Sequence, residues 1–123
     1  MSGVPGILLC DDSPKIRELV RVVLELEGKT VVAEAENGRD AVAAAERHQP
    51  DVVLLDLSMP VMDGLEALPE IRRVAPDARV VVLSGFENPA LVSAALSLGA
   101  ERYVTKGGDP AEIVAAVEGG PSG

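Results

Sequence analysis

The sequence has no tryptophan, one phenylalanine (Phe86) and one tyrosine (Tyr103). Aromatic residues make up 2% of it, which argues against a surface that grips nucleic acid by stacking bases. Positive charge is scarce as well: 11 Lys and Arg stand against 20 Asp and Glu, a formal net charge of −9. No basic cluster supplies the footprint that a phosphate backbone requires, so direct nucleic-acid contact by this domain is not expected. The single cysteine, Cys10, cannot close an internal disulfide, and its apolar neighbours mark it as a small buried residue in a reducing compartment. The single histidine, His48, has no cysteine or carboxylate at metal-ligand spacing and reads as a surface residue. No stretch of 18 apolar residues occurs, and the opening Met-Ser-Gly-Val-Pro-Gly has no basic segment leading into an apolar one. Neither a membrane span nor a secretory leader is expected, and the expected location is cytoplasmic.

What the sequence has in abundance is small aliphatic side chain, with 18 valines and 16 alanines in a composition that is 47% hydrophobic. That content supports a packed core and excludes intrinsic disorder, and 123 residues suffice for one domain but not two. Five short apolar runs read as strands: Ile7 to Cys10, Thr30 to Ala33, Val52 to Leu55, Val80 to Leu83 and Arg102 to Thr105. The central ones are continuously apolar, as parallel strands covered on both faces are. Helix starts lie between them. Ser13 precedes Pro14, with Ile16, Leu19, Val20 and Val23 as the buried stripe and Gly28 as the stop. Arg17, Glu18, Arg21 and Glu25 form the solvated face of this first helix. Later starts are Asn37-Gly38, Asp63 with Glu66 three residues on, Asn88-Pro89, and Asp109-Pro110 with Glu112 three residues on, the last resembling a capping box. Pro69 inside the third helix predicts a kink. The fold class is therefore α/β, a (βα)5 doubly wound five-stranded parallel sheet, with the flavodoxin-like order 2-1-3-4-5 assigned by analogy. The unit is expected to span 1–118, with 119–123 as a flexible tail or the start of a linker.

Open parallel sheets bind ligands beyond the carboxyl ends of their strands. Asp11 and Asp12 stand after the first run, Asp56 after the third, Ser84 after the fourth and Lys106 after the fifth. Three carboxylates brought together repel one another unless a cation sits among them, and an all-oxygen set without His or Cys selects Mg²⁺. With Asp11 and Asp12 on the metal, one carboxylate can attack phosphorus in line while Mg²⁺, Lys106 and the Ser84 hydroxyl neutralise the equatorial oxygens. Asp56 is the central candidate. A solvated turn or helix cap is the plain reading of Asp11-Asp12 alone, and it loses ground beside Asp56 and Lys106. Asp63 and Gly64 read as structural residues that cap the third helix.

Asp11-Asp12 after an apolar strand, the run Asp56-Leu57-Ser58-Met59-Pro60-Val61-Met62-Asp63-Gly64, Ser84-Gly85, and Tyr103-Val104-Thr105-Lys106 together resemble the receiver domain of two-component response regulators. The resemblance covers essentially the whole chain. It implies a signalling module that is no enzyme beyond its own phosphorylation and dephosphorylation, and that takes a phosphoryl group from a sensor histidine kinase onto Asp56. It further implies Mg²⁺ held by Asp12, Asp56 and the Ser58 backbone carbonyl, with Asp11 acting through water. Lys106 would bind the phosphoryl group, Ser84 would donate its hydroxyl to it, and Tyr103 would turn toward the space vacated. The face of helix four, strand five and helix five would change and could carry a homodimer. Ser58 and Phe86, each two residues beyond an active-site position, would tune dephosphorylation, Phe86 by slowing the approach of water. The spelling Leu98-Gly99-Ala100-Glu101-Arg102-Tyr103 followed by Lys106-Gly107 is similar to receivers attached to helix-turn-helix output domains, which implies a DNA-binding output domain beyond the C-terminus. One departure is Gly107, where many receivers have proline after a cis bond. A cis peptide before glycine costs about 2.5–4 kcal/mol, so both isomers of Lys106-Gly107 stay open. Two other functions also stay open: a Mg²⁺-dependent aspartyl-phosphate phosphohydrolase, which would want a second acid where Ser58 stands, and a phosphorylation-independent interaction domain.

Overall fold

A computed structural model describes residues 6–85 and 88–119. Strands and helices alternate: β1 (Gly6–Cys10), α1 (Pro14–Leu26), β2 (Thr30–Ala35), α2 (Gly38–His48), β3 (Val52–Leu55), α3 (Gly64–Val74), β4 (Arg79–Ser84), α4 (Pro89–Ser97), β5 (Arg102–Thr105) and α5 (Pro110–Glu118). All four strand pairings are parallel and the sheet order is β2-β1-β3-β4-β5, the order expected by analogy. Among the described residues no helix is long and apolar enough to cross a membrane.

The strand period of two divides each central strand between two cores. Leu8, Val53, Leu55, Val80 and Val82 pack on one face with residues of α2, α3 and α4. Ile7, Leu9, Leu54, Val81 and Leu83 pack on the other with α1 and α5. Ala41, Ala45, Ala67, Ala95 and Ala116 are all fully buried, so the helices lie close on the sheet through methyl groups and need no aromatic filler.

Helix α1 meets the sheet through the row Ile16, Val20 and Leu24, of which Val20 and Leu24 are buried. Leu19, expected in the buried stripe, is 60% exposed instead, because it lies off the i, i+4 row that faces the sheet. The reciprocal capping box forms at Asp63 and Glu66. At α5 the expected one gives way to a shorter turn, in which Asp109 accepts from the amide of Ala111 at 2.9 Å while the Glu112 carboxylate lies over Gly108. Helix α3 continues across Pro69. Every described peptide bond is trans, Lys106–Gly107 included.

Two local features position the site. In the β3–α3 loop the Met62 amide bonds the Pro60 carbonyl at 2.7 Å around Val61, which has φ +68°. That is a γ-turn with a β-branched residue in the left-handed region, a conformation costing about 1–2 kcal/mol. Neighbouring carbonyls anchor it: Gly38 donates to Met62 and Gly64 to Leu57, at 2.8 and 3.0 Å. A β-carbon on Gly64 would press on the Asp56 carbonyl oxygen and come within 2.7 Å of the Leu57 α-carbon. Backbone cannot yield there as a flexible side chain would. Gly64→Ala is therefore expected to lower the urea midpoint by the equivalent of about 1–3 kcal/mol, the cost of overpacking. Gly107→Ala, where a β-carbon meets nothing within 4 Å, is the matched substitution expected to stay within about 0.5 kcal/mol.

Candidate functional site

The sheet ladders extend one residue past the strands and so fix the backbone of the charged residues. Asp11 donates its amide to Ala35 at 3.0 Å, Asp56 to Cys10 at 2.9 Å and Lys106 to Ser84 at 2.8 Å. Asp11 and Asp56 are buried, while Asp12 is exposed at the rim. One carboxylate oxygen from each of the three lies within 4.8 Å of the others. The Lys106 ammonium reaches both buried acids, 2.6 Å from Asp11 Oδ2 and 3.2 Å from Asp56 Oδ2. Backbone amides hold the remaining oxygens, Ser13 on Asp11 Oδ1 at 2.9 Å and Ser58 on Asp56 Oδ1 at 3.2 Å.

Three acids against one ammonium leave the pocket short of positive charge. Burial, then the Asp11 charge, raises the Asp56 carboxyl above its ordinary range, and Lys106 and the Ser58 amide offset this only in part. For Lys106, burial alone would lower the ammonium, but the two carboxylates outweigh it and hold the proton more tightly. The Cys10 thiol is pushed up by burial foremost and by both acids, so it is inert packing, as its apolar context implied. Asp11 Oδ2 is buried, and the Lys106 ammonium meets it at 2.6 Å. An oxygen-only donor set in which three carboxylates share one ammonium fits a hard divalent cation such as Mg²⁺.

Of the residues singled out from the sequence, Asp11, Asp12, Asp56 and Lys106 form one cluster. Ser84 is buried as the last residue of β4, in register with Thr105, and lines an open cleft with Leu57, Ser58, Asp63 and Leu91. Ser58 is exposed. Tyr103 lies in β5 opposite Val82, partly buried against the α2–α3–α4 side of the core and apart from the acidic cluster. Phe86 lies outside the described residues. Asp63 and Gly64 are structural, as read.

Arg17 and Arg21, assigned to a solvated face, are not free charges there. Arg17 donates Nη1 to the Asp11 carbonyl at 2.5 Å and Nε to Glu34 at 2.8 Å, with its side chain 16% exposed. Arg21 reaches the same carboxylate through Nε at 2.9 Å. The sequence signal was Glu34 itself, the one charged residue in a strand otherwise small or apolar.

Comparison with known proteins agrees with this geometry. The family described as response regulator receiver domain matches residues 7–118. The chemotaxis protein CheY of Bacillus subtilis is 39% identical over 100 residues, which cover 81% of this chain and 83% of CheY. The nitrate/nitrite response regulator protein NarP of Escherichia coli is 38% identical over 118 residues, 95% of this chain but 55% of NarP, so the chain spans about half of that relative. Among solved structures, a two-component response regulator of the LuxR family from Aurantimonas sp. SI85-9A1 superposes with a TM-score of 0.90 at 37% identity, over 95% of this chain and 84% of the other. The match runs from β1 to the end of α5 and includes every residue of the acidic cluster, and the chain belongs to the receiver-domain family of two-component response regulators.

Proposed function

We propose that Asp56 accepts a phosphoryl group from a sensor histidine kinase in a Mg²⁺-dependent step, and that the charge it gains switches the contacts offered to an output domain or partner. The observation that carries this reading is the Lys106 ammonium seated on Asp11 and Asp56 at 2.6 and 3.2 Å where the three carboxylates converge. Receiver domains bind Mg²⁺ at an acidic pocket. Here Asp12, Asp56 and the Ser58 carbonyl would hold the ion, with Asp11 acting through water. When bound, Mg²⁺ supplies the positive charge that offsets carboxylate repulsion and the charge developing on the phosphoryl oxygens.

The chain's own residues do the rest. An Asp56 carboxylate oxygen attacks phosphorus in line, the bond to the kinase imidazole breaks, and that nitrogen leaves with the electron pair. Lys106 moves its ammonium from the carboxylates to the new phosphoryl oxygens. The Ser84 hydroxyl, buried at the end of β4, donates to another of them, and Tyr103 turns toward the space left beside β4. Only one of two pre-existing conformations satisfies these contacts, so phosphorylation shifts their populations. The α4–β5–α5 face then differs between states and is the candidate surface for a homodimer. Ser58 and Phe86 govern how water reaches the acyl phosphate. The receiver unit covers 1–118, in keeping with α5 ending at Glu118 and capped by Gly119, and the tail or linker expected beyond it lies outside the described residues. A DNA-binding output domain following it is supported by the kinship with NarP and LuxR-family regulators. A cytoplasmic location belongs to this reading, because the kinase phosphodonor acts there.

Intact mass after incubation with acetyl phosphate tests the chemistry. One phosphoryl adduct is expected on the wild-type chain with Mg²⁺ and none without it, and none on Asp56→Asn. Lys106→Ala is expected to form the adduct about 100-fold more slowly, the scale for losing one oriented charge donor at a transition state. Continuous phosphate release with no adduct would point to a hydrolase instead.

The raised Asp56 carboxyl carries a stability consequence. Because its folded pKa lies above the unfolded value, the native state favours the protonated form, and stability falls as pH rises from the ordinary carboxyl range through the raised value. Above the raised value the whole penalty is present. Asp56→Asn is expected to melt at a higher temperature than the wild type in metal-free buffer at pH 7.5, with the difference shrinking on acidification toward pH 4 and on addition of Mg²⁺ to the wild type. An equal or lower melting temperature would contradict it.

A further inference from the structure

Resting on the reading of the acidic cluster as a Mg²⁺ site, we propose that Arg17 is a positioning residue for it. Its guanidinium, anchored on Glu34 of β2, holds the Asp11 carbonyl and thereby fixes the loop from which Asp11 and Asp12 project.

The arrangement begins with a slip in register. Ile7 pairs with Val31 but Leu8 pairs with Ala33, so Val32 is an inserted residue and each later β2 side chain changes face. Val31 accordingly packs on the α1–α5 side of the sheet, whereas Ala33 and Ala35 pack on the opposite side. Glu34, between the two alanines, is turned toward α1. There it meets Arg17 and Arg21, four residues apart on one helix face, through Nε contacts of 2.8 and 2.9 Å. Burial would raise the Glu34 carboxyl, but the two guanidinium groups outweigh it and hold it below its ordinary range, so the anchor stays charged.

Arg17 alone extends further. Its Nη1 donates to the Asp11 carbonyl at 2.5 Å, at the point where the chain leaves β1. The Asp11 amide is tied to Ala35 at 3.0 Å and its carboxylate to the Ser13 amide at 2.9 Å, so the loop is held from the sheet, from the start of α1 and from the guanidinium. Arg21 bonds Glu34 and Glu25, and Asp11 is not among its hydrogen-bond partners. The two arginines therefore separate a shared ion pair from a positioning role. The planar guanidinium sets the angle between its two acceptors, which a lysine ammonium does not.

The test compares Arg17→Met, Arg17→Lys and Arg21→Met in the full chain. Amide hydrogen exchange of Ser13 is followed by NMR in metal-free protein, and Mg²⁺ affinity by titration calorimetry. Both Arg17 variants are expected to speed Ser13 exchange and to weaken Mg²⁺ binding about tenfold or more, the effect of losing an outer-shell partner. Arg17→Lys keeps the charge and stem, so it preserves the fold if the methionine variant does not. Arg21→Met is expected to leave both readouts unchanged. Wild-type affinity in a folded Arg17 variant, or an equal loss in Arg21→Met, overturns the proposal. Failure of the wild-type chain to bind Mg²⁺ overturns the reading of the site, and Ser13 exchange in the metal-free protein still decides whether Arg17 holds the loop.

Discussion

Two carboxylates as buried as those of Asp11 and Asp56 cannot lie side by side in a protein interior unless something positive lies between them. Lys106 supplies that charge from the edge strand β5, and the contact sets the relation of β1, β3 and β5 at the end of the sheet that holds the acidic cluster. It is also an incomplete answer. One ammonium against three acids leaves Asp56 with a raised carboxyl. The pocket therefore favours any arrival of positive charge, and in the proposed reaction the phosphoryl group would compete for the same lysine. Electrostatic tension at one edge of the sheet is what the proposed switch works against.

The remainder of the molecule makes that tension bearable. Continuous aliphatic strands, covered on both faces by alanine-rich helices, hold the strand ends rigidly, and ladder hydrogen bonds reach one residue into each loop. Gly64 lets the start of α3 rest on the Asp56 backbone, where no side chain would fit. The strained turn at Val61 persists because Gly38 and Gly64 pin the loop on either side of it. Rigidity at the ends of the strands and stored strain in the loop beside them belong to the same piece of chain.

Some of this was legible in the residues alone. Five strands, five helices and the charged residues beyond β1, β3 and β5 could be read because continuous apolar runs, cap residues and prolines are local signals that act within a few positions. The capping box at Asp63 and Glu66 follows from such local grammar, yet the same spacing at Asp109 and Glu112 gives a different turn. Leu19 shows a second limit. Helical spacing identifies an apolar stripe, but which edge of it the sheet covers depends on how the helix is set down.

The amino-acid sequence by itself determined the alternation of elements, the small-residue core and the identity of the charged cluster, because hydrophobic period and strand-end position are properties of neighbours along the chain. Tertiary structure alone decided that Lys106 bonds both Asp11 and Asp56, that its bond to Gly107 is trans, and that Arg17 is committed to Glu34 and the Asp11 carbonyl. The last depends on one inserted residue, Val32, which turns Glu34 to the other face of the sheet. Whether a strand bulges at a given residue is set by pairing with a distant segment, here β1 against β2, and no pattern within either segment announces it.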